Sequence, residues 1–169
     1  MTRKLLLIAL GSSVLSVLIT IAVFYLGGWL TFASQNRQAA IHEMGSHVMP
    51  FDLDKTTHVF QMAVGGGVQQ VISKDPNDED QIALIQMHLE HEAMRFSSGD
   101  FSDPTALHGE DMPGLKELTE GADLIAIQYR PLPEGGEIIF TTQDVNLVTA
   151  LHRWFGAQLS DHGKDAVTR

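Results

Sequence analysis

The chain contains no cysteine among its 169 residues. This absence excludes disulfides, thiol catalysis, zinc or iron–sulfur sites with cysteine ligands, and haem attached through a C-x-x-C-H motif. The sequence also contains no G-x-S-x-G nucleophile elbow and no glycine-rich phosphate-binding loop ahead of a helix. Enzymes that depend on these motifs therefore receive no support, and an exported fold must be held together by its core.

Basic residues are scarce, because 11 Lys and Arg stand against 21 Asp and Glu, for a formal net charge of −10. Nucleic acid phosphates need cationic contacts, so we expect no nucleic acid partner. An acidic surface is compatible with cations or basic partners.

One uncharged apolar run, Leu5–Leu30, stands near the N-terminus. A membrane-spanning helix needs about 20 such residues, so the run predicts a single-pass transmembrane helix. Arg3 and Lys4 precede it and Tyr25 and Trp29 end it, which favours a cytoplasmic N-terminus and a domain on the periplasmic side of the cell membrane. The alternative is a cleaved signal peptide, whose apolar core usually covers about 7–15 residues. Either interpretation exports the rest of the chain.

The pattern of residues after the apolar run and the stalk predicts an α+β domain. Strand-like segments flank Gly65–Gly67 and flank the turn PLPEGG, and each pair predicts a β-hairpin. An amphipathic helix is predicted after each hairpin, from Gln81 to Phe96 and from Asp144 onward, with a short helix at MPGLKELTEG between the two halves. The predicted order ββα(α)ββα gives a two-layer domain, in which helices cover one face of a four-stranded antiparallel sheet. The predicted parts are a cytoplasmic N-terminus 1–4, a transmembrane helix 5–30, a polar stalk 31–48, an exported domain 49–163 and a tail 164–169.

Histidine is abundant, with eight residues, and provides the candidate metal ligands. In the sequence HLEHE, His88 and His91 or His88 and Glu92 share a helix face at spacings of three and four. Imidazole and carboxylate groups at these spacings can bind one divalent ion. The alternative is a solvated polar face. HLEHE is not HExxH, so the sequence does not predict a zinc protease.

Further candidates lie elsewhere in the predicted domain. His58 alternates in phase with Phe60 on a strand, which is also the pattern of a hydrogen-bonded core histidine. His108 lies in a loop shaped by glycine and proline. His152 belongs to the last helix and is alternatively a packed residue, and His162 near its end would be favoured by the helix dipole alone. His and Met residues in the stalk resemble flexible copper-binding tracts: His42, Met44, His47 and Met49.

The segment Met49–Gly163 resembles a family of small bacterial proteins of unestablished activity. The matching motifs are MPFDLDKTTHVF, GGVQQVIS, HLxxEA, GDFSDP, HGEDMPGL and LHRWFGAQLSDHG. Members often bear the label aspartate carbamoyltransferase, but the phosphate-binding S-T-R-T motif of that enzyme is absent from this chain. The resemblance leaves His91 outside the pattern, which favours His88 with Glu92. It implies that six of our candidate site residues lie at family positions: His58, His88, Glu92, His108, His152 and His162.

The sequence thus predicts a membrane-anchored exported domain that binds a transition metal, copper or else zinc, for sensing, delivery or storage. His58, His88 and His108 are the predicted ligands, and Glu92, His152 or His162 complete or orient the set. The alternative is a non-catalytic interaction module that serves a membrane-protein partner or an envelope complex; catalysis is the less favoured expectation. Convergence of three of these histidines would support metal binding, and their dispersal would support the interaction module.

Overall fold

The structure, a computed structural model, describes the backbone of residues 3–169 and the side chains of residues 15–169. The predicted cytoplasmic segment 1–4 therefore lies partly outside the described residues, and so do the side chains of Arg3 and Lys4. The chain divides into two compact units, Met1–Arg37 and Gln38–Arg169.

The long helix α1, Arg3–Val48, makes up the described part of the first unit, and its last residues, from Gln38 onward, belong to the second unit. It is long and apolar enough to cross a membrane, and none of its apolar window is buried against protein. The hydroxyls of Thr20 and Thr31 donate to backbone carbonyls one turn earlier, which satisfies these polar groups within an apolar helix. The predicted stalk 31–48 is thus helical up to Val48, although its sequence shows no strong period.

The second unit contains one mixed sheet with helices. Its elements are β1 Thr56–Ala63, β2 Gly66–Ser73, α2 Glu79–Ser97, α3 Ser102–His108, α4 Leu115–Glu120, β3 Ala126–Leu132, β4 Gly135–Thr141, α5 Val145–His162 and β5 Ala166–Thr168. The strand order is β3-β4-β2-β1-β5. Pairs β1–β2, β2–β4 and β3–β4 are antiparallel, so both predicted hairpins are present.

Two details of the predicted α+β fold were wrong. The sheet has five strands rather than four, because β5 pairs in parallel with His58–Phe60 at the edge of the sheet. Three residues are too few to show strand alternation, so the sequence pattern predicted only a tail there. The predicted loop before Gly109 also contains a short helix, α3, of which His108 is the last residue.

An aspartate caps the N-terminus of each of the two long helices that pack on the sheet. The Asp78 carboxylate accepts a hydrogen bond from the backbone N–H of Gln81 at the start of α2. The Asp144 carboxylate accepts from the N–H of Asn146 at 2.7 Å at the start of α5. Such caps satisfy donors that the first helical turn leaves unpaired. Each hairpin is therefore followed by a capped helix, as the repeated sequence pattern predicts.

The two halves share one core because each long helix packs over the other half's strands. α2 follows the first hairpin but packs mainly over β3 and β4, whereas α5 follows the second hairpin and packs over β2, β1 and β5. The largest fully buried side chains are aromatic and meet in one cluster: Phe60, Phe96, Phe140, Trp154 and Phe155. This exchange places the inner faces of α2 and α5 on either side of the centre of the sheet.

Candidate histidine cavity

A small cavity of about 30 Å³ lies where β1, β2, α2, α3 and α5 meet. Such a volume holds one or two water molecules or one metal ion, at about 10–15 Å³ for each water. Its walls combine aromatic and aliphatic core residues with ionisable side chains, and the ionisable ones are His58, His88, Glu92, Asp103, His108 and His162. The fold thus brings five of the six predicted site residues to one place.

Different elements supply these five residues, which explains why they are far apart in sequence. β1 carries His58 on the same face as the core residue Phe60, and their ring centroids are 6.5 Å apart. α2 contributes His88 and Glu92, which are one turn apart. α3 contributes its last residue, His108, and α5 contributes its last residue, His162. The cavity therefore lies at the ends of two helices and beside the middle of a third.

Three imidazoles are in direct ring contact. His58 and His162 stack with centroids 4.6 Å apart and an angle of 13° between their planes. His108 meets His162 edge to face, with centroids 5.1 Å apart. His58 is only 4% exposed, and its Nδ1 has no hydrogen-bond partner. Three histidines from three elements thus form a compact buried group.

Asp161 orients the third of these rings. Its Oδ2 lies 2.9 Å from Nδ1 of His108, and both residues are buried. Because an ionised carboxylate can only accept, Nδ1 of His108 carries a hydrogen and donates it to Asp161. Histidines that ligate a metal through one ring nitrogen commonly donate the N–H of the other to a carboxylate in this way.

Burial keeps three of the cavity histidines neutral. It lowers the pKa of His58 to about 4, with smaller contributions from charge on His88 and His108. Burial likewise lowers the pKa of His88 to about 4 and holds that of His162 well below its ordinary value. At neutral pH these side chains carry no proton on one ring nitrogen, which is the form that coordinates metals.

A carboxyl pair borders the same cavity. Burial, together with a hydrogen bond shared with Asp103, raises the pKa of Glu92 to about 8. Burial acts to raise the pKa of Asp103 too, but hydrogen bonds from Arg95 and Glu92 outweigh it and hold that pKa below its ordinary value. Arg95 Nη1 also lies 3.6 Å from Glu92 Oε1. One neutral acid and one carboxylate therefore face each other beside the histidines.

Buried polar atoms without hydrogen bonds concentrate at this cavity. In the part of the chain that the structure describes, such atoms belong to five side chains that all line it: His58, Gln69, Glu92, Trp154 and Gln158. A buried polar group left unsatisfied costs about 1–3 kcal/mol. A polar or ionic occupant of the cavity can remove much of that cost.

His152, the sixth predicted site residue, is not brought to the cavity. Its Nε2 lies 3.1 Å from the carbonyl oxygen of Ala63 and 2.9 Å from that of Gly66. These carbonyls flank the turn between β1 and β2, so the ring donates to the hairpin. Its contacts are those of a residue that stabilises a turn.

Sequence reasoning missed several residues of the site. Asp161 immediately precedes His162 in the motif LSDHG, and this neighbourhood is the signal that could have found it. Asp103 lies in the motif GDFSDP, a segment that the sequence predicts to be a loop. Gln69 and Gln158 carried no signal, because a single buried glutamine is not distinguishable by pattern.

Among the described residues, no three His, Asp or Glu side chains stand in an arrangement that could hold a metal ion directly. The stacking of His58 on His162 accounts for this. The lone pair of an imidazole nitrogen lies in the ring plane, so two parallel rings direct their lone pairs alongside each other. Convergence on one ion therefore requires one ring to turn.

Comparisons of the chain with protein-family models, with curated proteins and with solved structures found no match in any of the three.

Proposed function

We propose that the second unit binds one transition-metal ion in the histidine cavity, with copper the favoured ion and zinc the other candidate. His58, His108 and His162 are the proposed ligands, and His88 is the fourth donor. The ion would be held for sensing, delivery or storage. Membership of the bacterial family suggested by the motifs remains part of this proposal.

The observation that carries the proposal is the meeting of four imidazoles at one cavity, three of which burial keeps uncharged. A buried histidine with a purely structural role usually has a hydrogen-bond partner. Here His58 Nδ1 has none, and the ring stacks on another histidine instead. Neutral imidazole suits copper, zinc and nickel, whereas the cysteine-poor site disfavours ions that need thiolates.

His108 supplies the preorganised part of the proposed site. Asp161 accepts a hydrogen bond from Nδ1 and fixes the orientation of the ring. His162 supplies the adjustable part, because it is the last residue of α5 and is followed by Gly163 at φ +55°. A turn of the His162 ring out of its stack on His58 would direct two lone pairs to one point, at about 2.0–2.1 Å from a zinc ion.

The same proposal places the domain at the outer face of a membrane. The apolar helix α1 is long enough to span a bilayer. Arg3 and Lys4 ahead of the apolar run favour a cytoplasmic N-terminus, which puts the cavity on the periplasmic side. A site with neutral nitrogen donors and no thiol suits an oxidising compartment, where thiolate ligands would be oxidised.

The experiment is a metal count on the full-length protein in detergent micelles, purified without a histidine tag. The protein is loaded with Cu(II), Zn(II) or Ni(II), separated from free metal and analysed for bound element. We expect one equivalent of the favoured ion, which is lost in the His58→Asn and His108→Asn variants. The control is His152→Asn, which changes a histidine that contacts the first hairpin and does not line the cavity. A protein that keeps its circular dichroism spectrum but retains no stoichiometric metal would contradict the proposal.

A further inference from the structure

A surface groove adjoins the histidine cavity along one side of α2. Its walls include four residues of α2 that carry sulfur or imidazole groups: Met87, His88, His91 and Met94. His88 and Asp103 line both the groove and the cavity. The two spaces are therefore neighbours that share a histidine and a carboxylate.

Helix geometry groups the soft donors of the groove. Met87, His91 and Met94 are spaced by four and three residues, so they follow one another along one face of α2. His88 lies one residue further around the helix and is only partly exposed. Two thioethers and an imidazole thus stand in a row that leads to the histidine at the cavity wall.

The two methionines are exposed, at 58% for Met87 and 62% for Met94. Burial in the core, the common role of methionine, does not explain them. The carboxylate of Glu90 lines the groove beside them, whereas that of Asp103 is paired with Arg95. The groove therefore combines soft donors with one acidic side chain on the same helix that has no ion pair among the described residues, a composition that suits a soft cation.

We propose that Met87, His91 and Met94 form a surface site for Cu(I), and that His88 passes the ion from this site into the histidine cavity. Thioether and imidazole ligands select Cu(I) over harder divalent ions. The ion remains Cu(I) during the transfer, so ligands exchange and no electron moves. The transfer step rests on the proposed function of the cavity, whereas the surface site stands on its own.

The test is an anaerobic Cu(I) titration of the full-length protein in detergent micelles against a chromophoric Cu(I) chelator. The Met87→Leu/Met94→Leu double variant keeps the side-chain volume and removes both sulfurs. Met62→Leu is the matched control, because Met62 is 42% exposed on β1 and does not line the groove. His58→Asn and His108→Asn report on the cavity separately.

We expect the wild type to bind two Cu(I) equivalents and the double methionine variant to lose one of them. Its remaining equivalent should load the cavity more slowly than in the wild type, while Met62→Leu behaves as the wild type. Unchanged stoichiometry, affinity and loading rate in the double variant would overturn the surface site. Loss of one equivalent in the double variant but none in the cavity variants would instead overturn the proposed function and leave the surface site standing.

Discussion

Glu92 makes the stability of the second unit depend on pH in a way that can be calculated. Its pKa is raised to about 8 in the folded chain from an ordinary value of 4.5, because the carboxyl is buried and shares a hydrogen bond with Asp103. A group with a raised pKa binds a proton more tightly when folded. Its contribution to stability is therefore complete below the unfolded pKa and is lost as pH rises through the folded pKa.

The window from pH 7.5 to 9 isolates this effect. The folded unit holds most of the proton at the lower limit and has lost most of it at the upper limit, while the unfolded chain is ionised throughout. Integration gives a loss of roughly 1 kcal/mol in the free energy of unfolding across the window. The pKa values of His58, His88 and His162 are lowered when folded, but these residues add little slope here, because their unfolded rings have already lost most of their proton at pH 7.5. Asp103 is ionised in both states here and adds no slope.

Replacement of Glu92 by glutamine removes the ionisation and keeps a donor that can face Asp103. We expect the Glu92→Gln variant to lose the decline in stability between pH 7.5 and 9. The assay is urea unfolding of the chelator-treated full-length protein, followed by fluorescence of the buried Trp154 in a Trp29→Phe background. The matched control is Glu90→Gln, an exposed position on the same helix, which should retain the slope. An equal slope in the Glu92→Gln variant and the wild type would refute the reasoning.

Three further substitutions test other parts of the structure. Asp161→Asn should weaken metal binding roughly 10–100-fold, because the His108 ring loses its orienting carboxylate; a chelator competition measures this, and equal affinity would count against the site. Gly114→Ala should destabilise the fold by roughly 1–3 kcal/mol or more, since φ is +86° and a Cβ would lie 2.0 Å from the carbonyl oxygen of Ala150; urea unfolding at unchanged midpoint would contradict this. His152→Ala should keep the metal stoichiometry and cost about 1 kcal/mol of stability through the lost turn contact; loss of the bound metal would show that the residue serves the cavity after all.

The hairpins and long helices could be predicted because their apolar residues follow the periods of two and 3.6. β5 could not, since its three residues pair with β1 only after the chain has returned past α5. The stalk was also missed as a helix. In that segment Ile41 and Gly45 are buried while most neighbours are exposed, so the apolar stripe is too narrow to show a period.

The candidate site likewise contains residues that the sequence predicts and partners that it does not. Residue type and motif position singled out His58, His88, Glu92, His108 and His162, and the fold brings all five to one cavity. The partners that tune them depend on long-range packing, and no local pattern in the sequence reports it. Asp161 meets a ring 53 positions earlier in the chain. The position of His152 likewise depends on how α5 packs against the first hairpin, and the residue pattern of α5 alone does not indicate this packing.

The central claim is that histidines of the cavity coordinate one metal ion. X-ray absorption and electron paramagnetic resonance of full-length protein loaded with Cu(II) in detergent micelles test it most directly. The account predicts one copper per chain with at least three imidazole nitrogens, unchanged in His152→Ala and lost in His108→Asn. Copper that is removed by gel filtration, or imidazole ligation that survives replacement of both His58 and His108, would contradict it.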